Sequence, residues 1–250
     1  IRYRIRLLEF RRVLFRSNDN SVKCWGYNGY GHLGDGTYIS SRLPVQCVDL
    51  VNVSKISSGQ YHNCALLTDG SIKCWGSNGR GQLGLSGSGY YNIAQTVSGI
   101  SSVLDVAVGG EHTCAVTNSG SVYCWGWNIY GQLGDGSYVD KSVPTNISTI
   151  NNANKVAAGR MSSCAIKVNG TISCWGQNTY GELGNGLTED SNIPVDVISI
   201  SDSTFVALGY GFACSLSANK KTIKCWGKND AGQLGDGTNI NRLSPVVVLQ

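Results

Sequence analysis

Apolar residues fall along this chain in short runs, about four to each stretch of 50 residues, with polar turn-formers between them. One stretch reads Leu43-Pro44-Val45, then Val51-Asn52-Val53-Ser54-Lys55-Ile56, then Asn63-Cys64-Ala65-Leu66-Leu67, then Ser71-Ile72-Lys73-Cys74-Trp75. Runs this short, rich in residues that suit a pleated surface and bounded by Gly, Asn and Asp, predict β-strands joined by tight turns rather than helices. The 33 Gly set against 4 Pro fit the same picture.

The runs are organised around one phrase, fullest at Cys124-Trp125-Gly126-Trp127-Asn128-Ile129-Tyr130-Gly131-Gln132-Leu133-Gly134-Asp135-Gly136. Other copies open at Cys24, Cys74, Cys174 and Cys225, so it returns every 50 residues with one extra residue before the last. A fixed period of that length marks a repeat architecture, in which a supersecondary unit is stacked because it cannot bury its apolar face alone. Units start near Ser21, Ser71, Ser121, Thr171 and Thr222 across residues 18–250. Four strands per unit is the content of one β-propeller blade, so the fold is expected to be all-β, with four-stranded blades. Within the phrase, the Asn and Gly positions are expected to close turns. Trp25, Trp75, Trp125, Trp175 and Trp226 are expected to fill the gaps between neighbouring sheets.

Each unit ends in a hairpin whose register can be counted. With Thr68-Asp69-Gly70 as a three-residue loop, Leu67 faces Ser71, Leu66 faces Ile72, and Cys64 lands opposite Cys74. The same count pairs Cys114 with Cys124 and Cys164 with Cys174. Cys214 and Cys225 enclose one more residue and a turn without Gly, so their pairing is expected to be less tightly registered. Directly opposed residues lie within disulfide reach, so four disulfides are predicted. No Cys-x-x-Cys or His-x-x-x-His spacing offers a zinc site. Cys24 and Cys47 are left over, and either a bond between them or two thiols fits the sequence.

Charge alters the picture at one end. Residues 1–17 match nothing in the repeat and hold six Arg against one Glu, and residues 8–17 resemble the translation of a common sequencing adapter. This tail is set aside as an assembly scar. Its removal leaves 14 basic and 15 acidic side chains, turning a formal charge of +4 into −1 and offering a nucleic-acid backbone little. No apolar stretch is long enough to span a membrane as a helix.

The phrases His62-Asn63-Cys64-Ala65 and His112-Thr113-Cys114-Ala115, with the Cys-Trp-Gly phrase, resemble the repeat of the regulator of chromosome condensation family. The paired cysteines look like its bacterial and extracellular members. The resemblance covers residues 21–250 and implies a seven-bladed propeller. Five unit starts then make this chain an incomplete, open arc, with the strands near Ser21 and Val246 each lacking a neighbour. Members of the family differ in function: one promotes nucleotide exchange on a small GTPase and docks on chromatin, one inhibits secreted enzymes, and one senses ultraviolet light. The recurrent Trp here belongs to the scaffold phrase, unlike the clustered Trp of the light sensor. Paired cysteines sit poorly with a reducing compartment, so an extracellular or cell-surface location is expected.

Catalytic chemistry would need residues that break the repeat. His62 and His112 share a position filled by Ser162 and Phe212 elsewhere, as a packing residue would, and His32 stands where other units carry Gln or Glu. The Asp of Gly-Asp-Gly gives way to Leu85 and Asn185, which suits a turn better than a calcium ligand. No enzyme, cofactor or metal is expected. Positions that vary between copies beside fixed neighbours are expected to form exposed loops that bind a protein partner. One set is Gln60, Tyr61, Glu111, Arg160, Met161 and Tyr210, and the other, placed on loops, is Tyr38, Tyr90, Tyr91 and Tyr138. Tyr, Arg and Met are the side chains that protein interfaces favour.

Overall fold

A computed structural model describes residues 12–17 and 21–249; the first eleven residues of the adapter-like tail lie outside them. The described residues form five antiparallel sheets and no helix. The first sheet has three strands, β1 (Arg12–Arg16), β2 (Val22–Gly26) and β3 (Ser41–Gln46). The second holds β4 (Val53–Ser58), β5 (His62–Leu67), β6 (Ile72–Ser77) and β7 (Tyr90–Thr96). The third holds β8 (Val103–Val108), β9 (His112–Thr117), β10 (Val122–Gly126) and β11 (Lys141–Asn146). The fourth holds β12 (Ala153–Ala158), β13 (Ser162–Lys167), β14 (Ile172–Gly176) and β15 (Ser191–Asp196). The fifth holds β16 (Ser203–Leu208), β17 (Phe212–Ser217), β18 (Ile223–Gly227) and β19 (Arg242–Val247).

The hairpin count is met: Cys64 faces Cys74, Cys114 faces Cys124, Cys164 faces Cys174 and Cys214 faces Cys225, and all four pairs are disulfide-bonded. The fifth sheet is registered as tightly as the others. Its turn places Lys220 at φ 57°, doing the work of Gly70, Gly120 and Gly170 at φ 80–83°, and the extra residue stays inside the turn.

Successive sheets pack side by side, β8 against β4 and β5, β12 against β8 and β9, and β16 against β12 and β13. Asp105 of β8 ties three of them, ion-paired to Lys55 of β4 and accepting the Val156 N–H of β12 at 3.2 Å. The Trp residues fill the seams between sheets. Trp75 shares a core with Val22, Cys24 and Leu33, and Trp125 with Cys64, Cys74 and Leu83. Trp175 and Trp226 do the same one and two sheets further on. Burying an indole removes roughly 200 Å² from water, stabilising each seam by about 5 kcal/mol. The indole N–H groups of Trp75, Trp175 and Trp226 donate at 2.8–2.9 Å to the carbonyls of His32, Gln132 and Glu182 in the preceding sheet's loop. Trp25 is the exception, half-buried while the other four are fully buried, because no described sheet stands before it to receive its ring.

The strand near Ser21 does not lack a neighbour. β1, drawn from the adapter-like tail, pairs with β2 in the register of the other hairpins, so Leu14 stands opposite Cys24. Ladder bonds need only backbone, and this strand supplies that. Its side chains fit less well. Phe15 is 57% exposed at the ladder position where Ala65, Ala115 and Ala165 are fully buried. At the other end, among the described residues, β19 has β18 alone beside it.

Candidate functional site

The loops between the first two strands of each four-stranded sheet emerge at one end of the array, as do those between the third and fourth. Hydrogen bonds bring the two kinds together: the N–H of Ser77, Trp127, Gln177 and Lys228 donates at 2.7–2.9 Å to the carbonyl of Tyr61, Glu111, Met161 and Gly211. Inside the longer loops a single Asn closes the turn. Asn128 Oδ1 accepts the Leu133 N–H while its Nδ2 donates to the carbonyls of Ser137 and Val139, and the other copies repeat the pattern. Asp135 and Asp236 are consumed in these turns, accepting from Ser137 and Thr238. Among the described residues no group of three or more His, Cys, Asp or Glu could hold a metal ion.

The first-to-second loops also pack against each other through glycine. A Cβ on Gly59 would fall 2.0 Å from the Gly109 carbonyl oxygen, and one on Gly109 2.6 Å from that of Gly159. Only a residue without a side chain allows that approach, which lets Gly110 donate to the Gly159 carbonyl at 3.1 Å. These glycines, with Gln60, Tyr61 and Arg160, line an open cavity of about 740 Å³ that Tyr27, Tyr30 and His32 continue.

On the same loops the variable side chains form three groups of contacts, of which Tyr27, Tyr30, Gln60, Tyr61 and Arg160 line the cavity itself. In the first, Tyr30 lies 6.1 Å from Tyr61 and 4.9 Å from Tyr90, ring to ring, with Tyr27 at 6.0 Å. Gln60 Nε2 donates to the Tyr61 hydroxyl at 3.1 Å, and the Tyr38 hydroxyl to the Tyr90 carbonyl at 2.9 Å. In the second, Arg80 reaches Glu111 at 3.8 Å and Asp140 at 3.6 Å, with its guanidinium 5.7 Å from the Trp127 ring. Burial raises the Glu111 pKa, and Arg80 opposes that rise. In the third, Arg160 lies 4.8 Å over the Tyr210 ring, which Lys228 approaches at 5.5 Å while standing 5.1 Å from Tyr180. Cations over aromatic faces are favourable contacts that also hold long side chains in place.

Of the expected residues, Gln60, Tyr61, Glu111, Arg160, Tyr210, Tyr38 and Tyr90 take part in these contacts, and Met161 contributes its backbone. Tyr138 is exposed in its loop and takes part in none of the ring contacts above. Tyr90 and Tyr91 stand at the start of β7 rather than on a loop, and Tyr91 packs on the core between the second and third sheets. Sequence reasoning missed Tyr27, Tyr30, Arg80, Tyr180 and Lys228, and Tyr130, whose ring lies 5.8 Å from that of Trp127. All occupy the variable places inside the repeated phrase, and comparing copies there as well would have found them.

The histidines are buried ties between sheets. His62 Nε2 pairs with Thr113 Oγ1 at 2.7 Å and His112 Nε2 with Ser163 Oγ at 2.8 Å. Desolvation drives the His112 pKa down to about 4. Glu182 is 2% exposed where its counterparts are His32, Gln82, Gln132 and Gln233, and burial pushes its pKa up to about 7.

Seams of Trp between four-stranded sheets, with loops gathered at one end, match a known architecture. The family model described as the RCC1-like domain matches residues 11–249. This chain belongs to that family. Solved structures agree on the fold. Human WBSCR16 superposes with a TM-score of 0.83 at 24% identity, over 96% of this chain and 65% of that one. Prp20p of Saccharomyces cerevisiae, whose structure was reported with its binding properties to Gsp1p and histones, gives 0.84 at 18%, over 96% and 61%. The CRINKLY WD40 ectodomain of the Arabidopsis thaliana receptor kinase ACR4 gives 0.51 at 20%, over 87% and 60%. At these identities the likeness speaks for the fold alone, a β-propeller of RCC1-like repeats. The chain spans less than two thirds of each of these chains.

Proposed function

We propose that this RCC1-like chain is a non-enzymatic scaffold, secreted or displayed at the cell surface, that grips a protein partner with the face carrying Tyr61, Arg160 and Tyr210. One observation carries the reading: side chains that differ from sheet to sheet, Tyr30, Tyr61 and Arg160 among them, line one cavity, with Tyr210 stacked on Arg160, while the groups beneath them repeat. Ring-to-ring and cation-to-ring contacts hold these anchors in place before binding, so ordering them costs little on association. The disulfides support an oxidising location. The near-neutral charge without the tail supports a protein partner over a nucleic acid. Val13 and Leu14 of the adapter-like tail also line this cavity but are given no role, because the tail is set aside as an assembly scar.

A photo-crosslinking residue at Tyr61 should trap a partner from the protein's native extracellular fluid, whereas the same residue at Asp69, in a turn at the opposite end of its sheet, should not. With the trapped partner purified, Tyr61→Ala, Arg160→Ala or Tyr210→Ala should each weaken binding by about 1–3 kcal/mol and leave unfolding unchanged. Equal trapping from both positions would refute the proposed face. Membership of the RCC1-like family motivates a second reading, exchange activity on a small GTPase. Nucleotide release from such a GTPase that is accelerated by this chain, and survives reduction of its cysteines, would favour that reading instead.

A further inference from the structure

The first sheet breaks the sulfur pattern of the others. Where they set Cys opposite Cys, here the strand drawn from the adapter-like tail sets Leu14 opposite Cys24, and the sulfur beside Cys24 comes from another position. Cys24 Sγ lies instead 2.9 Å from Cys47 Sγ, and the two residues are 1% and 2% exposed. Position 47 is informative. Its N–H bonds the Val22 carbonyl, as the N–H groups of Val97, Ile147 and Val197 bond the matching carbonyls in later sheets. Those three aliphatic side chains lie in the same cores as the cystines of their own sheets. Cysteine therefore replaces an aliphatic residue at a position that lies beside the sulfur of its own sheet.

We propose that Cys24 and Cys47 form a fifth cystine, which encloses β3 together with the loop that carries Tyr27, Tyr30, His32 and Tyr38. The sulfurs need approach by only about 0.9 Å to reach bonding distance. An external disulfide such as oxidised glutathione supplies the oxidising equivalents. One thiol loses its proton and its thiolate attacks the external disulfide, giving a mixed disulfide and one reduced glutathione. The second thiolate then displaces the remaining glutathione as thiolate, so two electrons and two protons leave the protein in all. The other four cystines join strands that meet in short turns at the far end of the sheets. This one encloses β3 and a loop of the first group of contacts, and it pre-organises Tyr27 and Tyr30 against Tyr61. That consequence rests on the binding reading; the bond itself does not.

Peptide mapping of the full chain, oxidised in a glutathione buffer and left unreduced, tests the bond. Trypsin cuts after Lys23, Arg42 and Lys55, so peptides 24–42 and 43–55 should appear only as a linked pair. Finding both peptides alkylated after denaturation, or Cys24 joined to another cysteine, would overturn the proposal. Hydrogen exchange tests the consequence. In Cys47→Ser, amides of residues 27–40 should exchange about tenfold faster or more, with the turn at residues 68–71 unchanged. Wild-type protein reduced with dithiothreitol until only this pair opens should match the variant. Unchanged exchange in residues 27–40 in both samples would refute the loop closure. A linked pair and a slow-exchanging loop in a protein that traps no partner would count against the binding reading alone.

Discussion

Replacing Glu182 with Gln should stabilise the protein at pH 8 and destabilise it slightly, by up to about 1 kcal/mol, at pH 5. Glu182 accepts the Tyr180 N–H at 2.7 Å, as Gln132 accepts that of Tyr130 at 2.9 Å, so the swap keeps the local geometry. The difference is charge. Desolvation, helped by nearby Asp190, raises the Glu182 pKa from 4.5 to about 7. Between those values the native state binds more protons than the unfolded chain, so stability falls as pH rises through the window. The penalty is about 0.8 kcal/mol at pH 5 and about 3.3 kcal/mol at pH 8. Gln brings an amide N–H₂ that must also be housed, and Gln132 Nε2 has no hydrogen-bond partner in its own site, which offsets about 1–2 kcal/mol. The net expectation is a gain of about 1–2 kcal/mol at pH 8, with a swing of about 2.5 kcal/mol between the two pH values. Urea unfolding of unreduced protein from pH 5 to 8.5 measures it. Local hydrogen exchange over residues 178–190 guards against a transition that is not two-state. Gln132→Glu supplies the mirror image and should lose stability as pH rises. A Glu182→Gln effect constant within about 0.5 kcal/mol across the range would refute the reasoning.

Two further outcomes follow from buried groups. The His112 pKa is lowered to about 4, so the unfolded chain binds the extra proton between pH 6.5 and 4 and stability should fall by about 3 kcal/mol as pH drops through that window. His112→Phe, which copies Phe212 of the fifth sheet, should abolish that loss; pH titrations in a Glu182→Gln background keep the two opposed effects apart. Trp125→Ala should cost about 3–5 kcal/mol, while Trp25→Ala should cost about half as much or less, because its ring is only half-buried, and chemical denaturation of the two variants compares them directly.

The parts legible in the sequence were those that one short stretch fixes by itself. Thr68-Asp69-Gly70 sets the register of its hairpin, so the Cys pairs followed by counting, and five copies of Trp in one phrase signalled a seam. The sheet boundaries were not legible, because a period carries no phase: units counted from Ser71 begin at the third strand of a sheet, not the first. Lys220 shows another limit, since a Lys at positive φ kept a register that composition made doubtful. The site was half legible. Tyr61 and Arg160 break an otherwise fixed run, whereas Tyr30 and Arg80 hide among scaffold residues, and only folding shows that they meet Tyr61 and Glu111. Tyr91 varies between copies yet is partly buried against a seam, so variation alone did not mean exposure.

The offset between unit and sheet gives the disulfides a second meaning. Each cystine bonds the last strand of one sequence unit to the first strand of the next, as Cys64 of β5 is bonded to Cys74 of β6. Removing residues 71–120 by recombination would join β5 directly to β10 and set Cys64 opposite Cys124, because both cysteines keep their distance from the junction. Gene segments of one period can therefore be gained or lost without stranding a sulfur atom, and the loops that vary travel with them. An array built this way can change its length and its variable loops in a single genetic step while the hairpins of the four-stranded sheets stay cross-linked.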